Sequence, residues 1–169
     1  MDIRYINNDF QFLLRVSALI YNEDKSKILI FNVNGRDFYL LPGGKINELE
    51  ESIDAIKREI KEELGWDNID YKFSGVCEEI VNFKGYNNHQ IDLIYKGVYK
   101  EKIESFEFKG IEGDWINFKW IDTDDIDKYN IYPNIVKEMV KDKTDKIYHS
   151  ISNEIKWLHK QSFFYEWLL

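Results

Sequence analysis

Apolar residues along this chain change period several times, and the changes mark out its elements. Between residues 52 and 65, Ile53, Ile56, Ile60 and Leu64 recur at spacings of three and four. That is one apolar stripe on an α-helix, with charged residues on the other faces. Gly65 follows at once, where a helix commonly ends in a left-handed residue. Upstream, Phe12 to Tyr21, Lys27 to Phe31 and Phe38 to Leu41 are bulky, largely apolar runs that predict strands. Asn22-Glu23-Asp24-Lys25 and Asn34-Gly35 separate them as turns. Leu41-Pro42-Gly43-Gly44 is a further turn, because Pro fixes its own φ and Gly reaches conformations closed to other residues. Downstream, Glu78 to Ile91 reads as a hairpin around Lys84-Gly85-Tyr86-Asn87-Asn88, and residues 90 to 99 alternate as a strand. Residues 101 to 117 are charged and irregular, which predicts a loop, and Asn134 to Lys141 predicts a helix starting just after Pro133. Strands split around a helix, with more helix near the end, suggest a mixed sheet sandwiched between helices.

The polar face of the first helix carries the chemistry. From Gly44 the spacing is five residues to Glu50, seven more, then Arg58-Glu59-Ile60-Lys61-Glu62-Glu63-Leu64-Gly65. Glu59, Glu62 and Glu63 stand at i, i+3 and i+4, on one face of the helix. Like charges that close repel one another, so the arrangement costs stability unless a cation fills the gap; hard oxygen ligands suit Mg²⁺ or Mn²⁺. Arg58 to Glu62 alone is also the spacing of an ordinary surface ion pair. Two glycines, four glutamates and an arginine at fixed separations, behind a strand and a Pro-Gly-Gly turn, outweigh that plainer reading.

This segment resembles the Nudix box, Gly-x5-Glu-x7-Arg-Glu-apolar-x-Glu-Glu-x-Gly-apolar, at every fixed polar and glycine position. The last apolar position is Trp66, bulkier than the usual aliphatic residue. Asn47 and Leu49 stand where family members often carry Glu and Gly. The preceding strands, and Lys119-Trp120-Ile121-Asp122 followed by Asp125-Ile126, extend the resemblance over about residues 10 to 140. It implies an α/β fold of the α+β type, an α/β/α sandwich around a mixed β-sheet. It also implies hydrolysis of a diphosphate bond in a nucleoside diphosphate linked to another group, by water attack on phosphorus. Glu59, Glu62 and Glu63 would be the metal ligands, with the backbone carbonyl of Gly44 or Gly43 completing the shell, and Arg58 would orient Glu50. The expected cofactor is Mg²⁺, with Mn²⁺ as the second choice. The general base stays open between a box glutamate and a more distant acid such as Glu112, Asp114, Glu78 or Glu79. Lys45 and Glu112 are candidates for substrate contact.

Charge supports the need for a cation. Lys and Arg number 23 against 31 Asp and Glu, a formal net charge of −8, so the overall field repels a diphosphate. Divalent ions would reverse that sign locally. The expected partner is a small nucleoside diphosphate derivative. Capped RNA is less favoured, and nucleic acid an unlikely partner, because no basic stripe tracks a phosphate backbone. The alternative function is a non-catalytic nucleotide sensor of the same fold; mutually repelling carboxylates argue against it.

The remaining features bound the picture. With 169 residues, 44% hydrophobic and 16% aromatic, the chain has ample material for a packed core. The expected division is a hydrolase domain over residues 1–145 and a C-terminal helical extension over 146–169 packed on it. That tail carries Ile151, Ile155, Leu158, Phe163, Phe164, Trp167 and Leu168, and core packing, a dimer contact or a flap would each cover them. The 78–91 hairpin is also a candidate to pair two subunits as a homodimer. His89 reads more simply as a packed or hydrogen-bonded strand-end residue than as a ligand. Cys77, the single cysteine, reads as a small core residue. No stretch is apolar enough to span a membrane, and the expected location is cytoplasmic. Phe38, Tyr39, Trp66, Phe83, Tyr86 and Trp115 are candidate platforms for a base.

Overall fold

A computed structural model describes residues 1–34, 36–83, 86–142 and 144–153. In chain order the strands before the first helix are β1 (Arg4–Ile6), β2 (Phe10–Asn22), β3 (Lys27–Val33), β4 (Tyr39–Leu40) and β5 (Gly43–Lys45). Helix α1 spans Ser52–Leu64 and is followed by β6 (Tyr71–Phe83), β7 (Tyr86–Tyr99), β8 (Glu107–Gly110) and β9 (Gly113–Asp122). A 3₁₀ turn (Thr123–Lys128), β10 (Ile131–Tyr132), α2 (Ile135–Lys141) and β11 (Tyr148–Asn153) complete the described chain.

The long strand β2 organises the sheet. Along one edge it pairs with β7 in parallel, from Phe10 opposite Asn87 to Asn22 opposite Tyr99. Its other edge is shared among β1, β5 and β3, all antiparallel. Because successive side chains point to opposite faces, β2 feeds two cores. Val16, Ala18 and Ile20 join Ile56, Ile60 and Leu64 of α1, while Leu19 and Tyr21 join Val136 and Met139 of α2. The sheet is mixed and helices cover both faces, which is the sandwich that the apolar pattern predicts. Cys77 is buried in the α2-side core.

Helix α1 follows its stripe, with Ile56, Ile60 and Leu64 buried and Gly65 left-handed at φ 75° with its N–H on Lys61 O. Two expectations are corrected. Residues 107–110 and 113–117, expected in a loop, instead form β8 and the first half of β9, joining the strand expected at Lys119–Asp122, because β9 gains its ladder from β3 as well as from β8. Tyr148–Asn153 is a strand parallel to β6, not the start of a helical extension; alternate residues Tyr148, Ser150 and Ser152 are inward or half-buried while Ile151 is exposed. The rest of the expected extension, from residue 154 onward, lies outside the described residues, as do Gly35, Lys84 and Gly85 of the expected turns.

Phe31 of β3 is fully buried, with its ring centroid 5.5 Å from that of Phe118 on β9. Phe31→Ala is expected to lower the unfolding free energy by about 3–5 kcal/mol in urea melts with an unchanged m-value. A loss below about 1 kcal/mol would contradict this placement of the core.

Candidate active site

The Pro-Gly-Gly turn and the acidic face of α1 are pressed together. Gly43 has φ 138°, and a Cβ built on it would stand 2.2 Å from the carbonyl oxygen of Val16 in β2. Only glycine fits there. At Gly44 a Cβ would lie 2.3 Å from Glu59 Oε2, so the missing side chain is the space the Glu59 carboxylate occupies. The Gly43 N–H donates to Glu63 Oε2 at 3.1 Å. Glu63 is buried, at 2% exposure, so a helix residue with the spacing of a surface charge is in fact an interior one.

Arg58 ties the cluster together. Its Nε and Nη2 donate to the two oxygens of Glu50 at 2.7 and 2.9 Å, a bidentate pair. Its Nη1 donates to Glu59 Oε1 at 2.7 Å and Glu62 Oε2 at 3.0 Å, and Nη2 also reaches the Lys45 carbonyl at 3.0 Å. The expected orientation of Glu50 by Arg58 is observed. The additional bonds to Glu59 and Glu62 were not foreseen; this guanidinium is the positive charge the crowded carboxylates share.

Environment separates these acids. The Arg58 hydrogen bonds hold the Glu50 carboxyl down at about 2. Burial pushes Glu59 above the ordinary carboxylate value, opposed by Arg58 and reinforced by the charge of Glu62. Burial raises Glu63 well above its ordinary value; Arg15 pulls it back, while Glu59 and Glu112 add to the rise. Glu112, at the β8–β9 turn, is raised by burial and then by Glu62. The turn is pinned there because the Ile111 N–H donates to the Glu63 carbonyl at 3.0 Å. Glu112 therefore joins the box glutamates in space across a wide gap in sequence.

Other expected residues lie elsewhere. The Lys45 ammonium pairs with Asp2 at 3.4 Å. Asp114 is exposed and offers its backbone carbonyl to Asn34. His89 bonds Glu78 at 2.7 Å and meets Phe12 edge-on, matching the packed-histidine reading, and Glu79 accepts from Gln90 at 2.8 Å. Phe38 is buried edge-on to Tyr132. Trp66 stacks on Tyr99 at 4.0 Å, and both help line a pocket of ≈ 510 Å³ at the end of α1, together with Phe108, Ile111 and Trp120.

The sequence reading missed Arg15. It is 5% exposed on β2, and its Nη2 donates to the carbonyls of Leu41 (3.3 Å) and Gly43 (3.2 Å). Asp92, its partner across the β7 ladder, is 3.9 Å away and accepts from Ser17 Oγ at 2.5 Å. A charged residue inside the apolar run Phe12 to Tyr21 was the available signal.

The donor set suits a hard divalent cation: Glu59 lies against Gly44, where a Cβ has been dispensed with, Glu63 accepts from the Gly43 N–H, and Glu62 shares their helix face. As the side chains stand, no three Asp, Glu, His or Cys among the described residues form a ligand group. Arg58 takes one oxygen of Glu59 and one of Glu62, which leaves a second oxygen on each for an ion.

A sheet sandwiched by helices, with a glycine turn set against an acidic helix, defines a domain of the kind the box motif belongs to. The chain belongs to the NUDIX domain family, whose model matches residues 11–140. It is 36% identical over 113 residues to the m7GpppN-mRNA hydrolase of Saccharomyces cerevisiae, a match that covers 56% of this chain and 11% of that protein. It is 30% identical over 123 residues to the mRNA-decapping protein D10 of fowlpox virus, covering 65% of this chain and 50% of that one. The chain thus spans half or less of the length of these relatives. In structure it is similar to a MutT protein from Bacillus halodurans, with a TM-score of 0.67 at 15% identity over 86% of this chain and 92% of that one. It is also similar to the dihydroneopterin triphosphate pyrophosphohydrolase of E. coli, with a TM-score of 0.59 at 15% identity over 76% and 92%. Both sequence relatives carry mRNA in their names, which does not support the expectation that nucleic acid is an unlikely partner. Nothing in the comparisons supports the expected homodimer. No helix among the described residues is long and apolar enough to cross a membrane.

The two glycines are expected to respond differently to alanine. At Gly43 the added Cβ meets strand backbone, so Gly43→Ala should lose more than about 2 kcal/mol of stability in a denaturant melt. At Gly44 it meets the movable end of Glu59, so Gly44→Ala should melt within a few degrees of wild type. Equal losses for the two would contradict this division.

Proposed function

We propose that this chain is a pyrophosphohydrolase that cleaves a diphosphate bond in a nucleoside diphosphate derivative by water attack on phosphorus. The observation that carries the reading is the buried Glu63 hydrogen-bonded to the Gly43 N–H, beside a Glu59 carboxylate lying against Gly44. A non-catalytic fold has little physical reason to keep a buried and a half-buried carboxylate side by side, each raised by loss of solvent.

Glu59, Glu62, Glu63 and the Gly44 carbonyl are the residues that would hold Mg²⁺ or Mn²⁺. When bound, the ion supplies positive charge against carboxylate and phosphate oxygens alike and makes a water more acidic. The protein's own residues do the rest. Arg58 keeps Glu50 ionised and itself donates to the Lys45 carbonyl, while Glu50 accepts from the Asn47 N–H, and together these bonds fix the loop between the turn and α1. Glu112, exposed at the β8–β9 turn and raised by partial desolvation and by the charge of Glu62, is the acid we assign to take a proton. The names of the sequence relatives favour a capped RNA 5′ end among diphosphate substrates.

The test is a panel of capped RNA, free cap dinucleotide, a nucleoside triphosphate and a nucleotide sugar, each with Mg²⁺ or Mn²⁺. Cleavage of capped RNA, falling at least about 100-fold in Glu62→Gln while its melting curve stays close to wild type, is the expected result. Cleavage of the small compounds alone would keep the reaction and discard the RNA end. Tight binding of one compound without turnover would favour a nucleotide sensor.

Stability offers a separate check. A carboxyl raised in the folded state makes that state hold its proton longer than the unfolded chain does. Its contribution is therefore fully present below the ordinary value of 4.5 and fades as pH rises from there through the folded value. Without divalent ions, wild type should lose stability relative to Glu63→Gln as pH rises from 4.5 to 8. With Mg²⁺, which needs the ionised carboxylates, that relative loss should shrink or reverse. Parallel pH profiles under both conditions would count against a cation at this site.

A further inference from the structure

Gly43 is held from both sides by buried charge. Its N–H donates to Glu63 and its carbonyl accepts from Arg15, which also takes the carbonyl of Leu41 two residues earlier. The two acceptors flank Pro42, so one guanidinium spans the turn. Arg15 is itself restrained: its Nε donates to Ser17 Oγ at 3.4 Å, and Ser17 passes a hydrogen bond to Asp92 Oδ2. All three residues are at most 5% exposed. Asp92 Oδ1 has no hydrogen-bond partner among the described residues, although it is buried. A half-satisfied carboxylate in the sheet interior is costly. A core built for stability alone would place an apolar pair at these facing positions of β2 and β7.

We propose that Arg15, with Ser17 and Asp92 behind it, is a positioning group for the glycine turn, holding Gly43 and Gly44 in register with Glu63 and Glu59. This rests on the reading of the turn and the acidic helix as the catalytic wall, but the brace can be read without any metal or substrate. The backbone ladder contributes as well, pairing Val16 with Gly44 and Ser17 with Gly43. That ladder sets the strand, whereas the guanidinium sets the carbonyls of the turn that the ladder leaves over. Arginine suits the task because its rigid plane lets Nη2 serve both carbonyls while Nε is held by Ser17; lysine has a single nitrogen on a flexible stem.

The experiment is amide hydrogen exchange by NMR on the full chain without metal, in wild type, Arg15→Met, Arg15→Lys and Ser17→Ala. In Arg15→Met the Gly43 amide should exchange at least about tenfold faster, while the Leu93 and Ile94 amides of β7 keep their protection. Arg15→Lys should fall between Met and wild type, because charge without the fork is an incomplete brace. Ser17→Ala removes a single oxygen and supplies the same reading, at about threefold, should Arg15→Met fail to fold. Unchanged Gly43 exchange in the folded variants overturns the proposal.

Mn²⁺ titration gives a second reading whose sign discriminates. A brace predicts that Arg15→Met binds Mn²⁺ about tenfold more weakly, because the glutamates and the turn lose their register. If Arg15 acts only as a nearby positive charge, its removal tightens Mn²⁺ binding, and the brace is wrong. Normal exchange effects in a wild type that takes up no Mn²⁺ would overturn the proposed function while leaving the brace in place.

Discussion

A single peptide unit, Gly43, joins the parts of this molecule that matter. Its N–H meets a buried carboxylate on α1, its carbonyl meets a buried guanidinium on β2, and its Cα sits against strand backbone. No side chain can be accommodated there, so the turn has no freedom to drift. Helix α1 is thereby fixed not only by its apolar stripe but by a polar contact at its far end. Each partner is also expensive to bury alone. Glu63 is tolerated because Arg15 and the Gly43 N–H face it, and Arg15 because Asp92 stands across the ladder.

The acidic helix shows how one residue type takes on different properties a few residues apart. Glu50 and Glu63 are both glutamates near the same turn. One is held down at about 2 by a bidentate arginine; the other is raised well above the ordinary range by burial. Arg58 engages Glu50 fully but only one oxygen of Glu59 and one of Glu62. That asymmetry divides the cluster into an anchored acid and acids with coordination to spare. The fold draws Glu112 into the same field through the bond from Ile111 to the end of α1, extending the acidic surface beyond the box.

What could be read without coordinates was whatever local spacing controls. The stripe of α1, the Gly65 terminus and the early strands follow from periodicity, and the site followed because its residues sit on one helix and one turn. Leu49 is instructive: it has φ 61°, the left-handed conformation for which relatives of the motif use glycine, and its side chain is fully exposed. The departure from the pattern marked a real backbone constraint, met here at some strain. The β8–β9 hairpin was hidden because β8 is short and largely exposed, and β9 is stabilised by pairing with β3, about 85 residues away in sequence. Arg15 and Asp92 were hidden for a related reason. Arg15 is the lone charge of an apolar strand and Asp92 lies in a more polar one, and only the parallel register of β2 on β7 makes them partners. The strand at Tyr148–Asn153 likewise depends on β6 for its pairing, and no local period announces it.

The central claim is that the glutamate wall against the glycine turn exists to hold a divalent ion. A crystal grown with Mn²⁺ and measured for anomalous scattering addresses it most directly. The account predicts a peak within coordination distance of Glu59, Glu62 or Glu63 and the Gly44 carbonyl, with Arg58 still paired to Glu50. Crystals that bind manganese only elsewhere would contradict it.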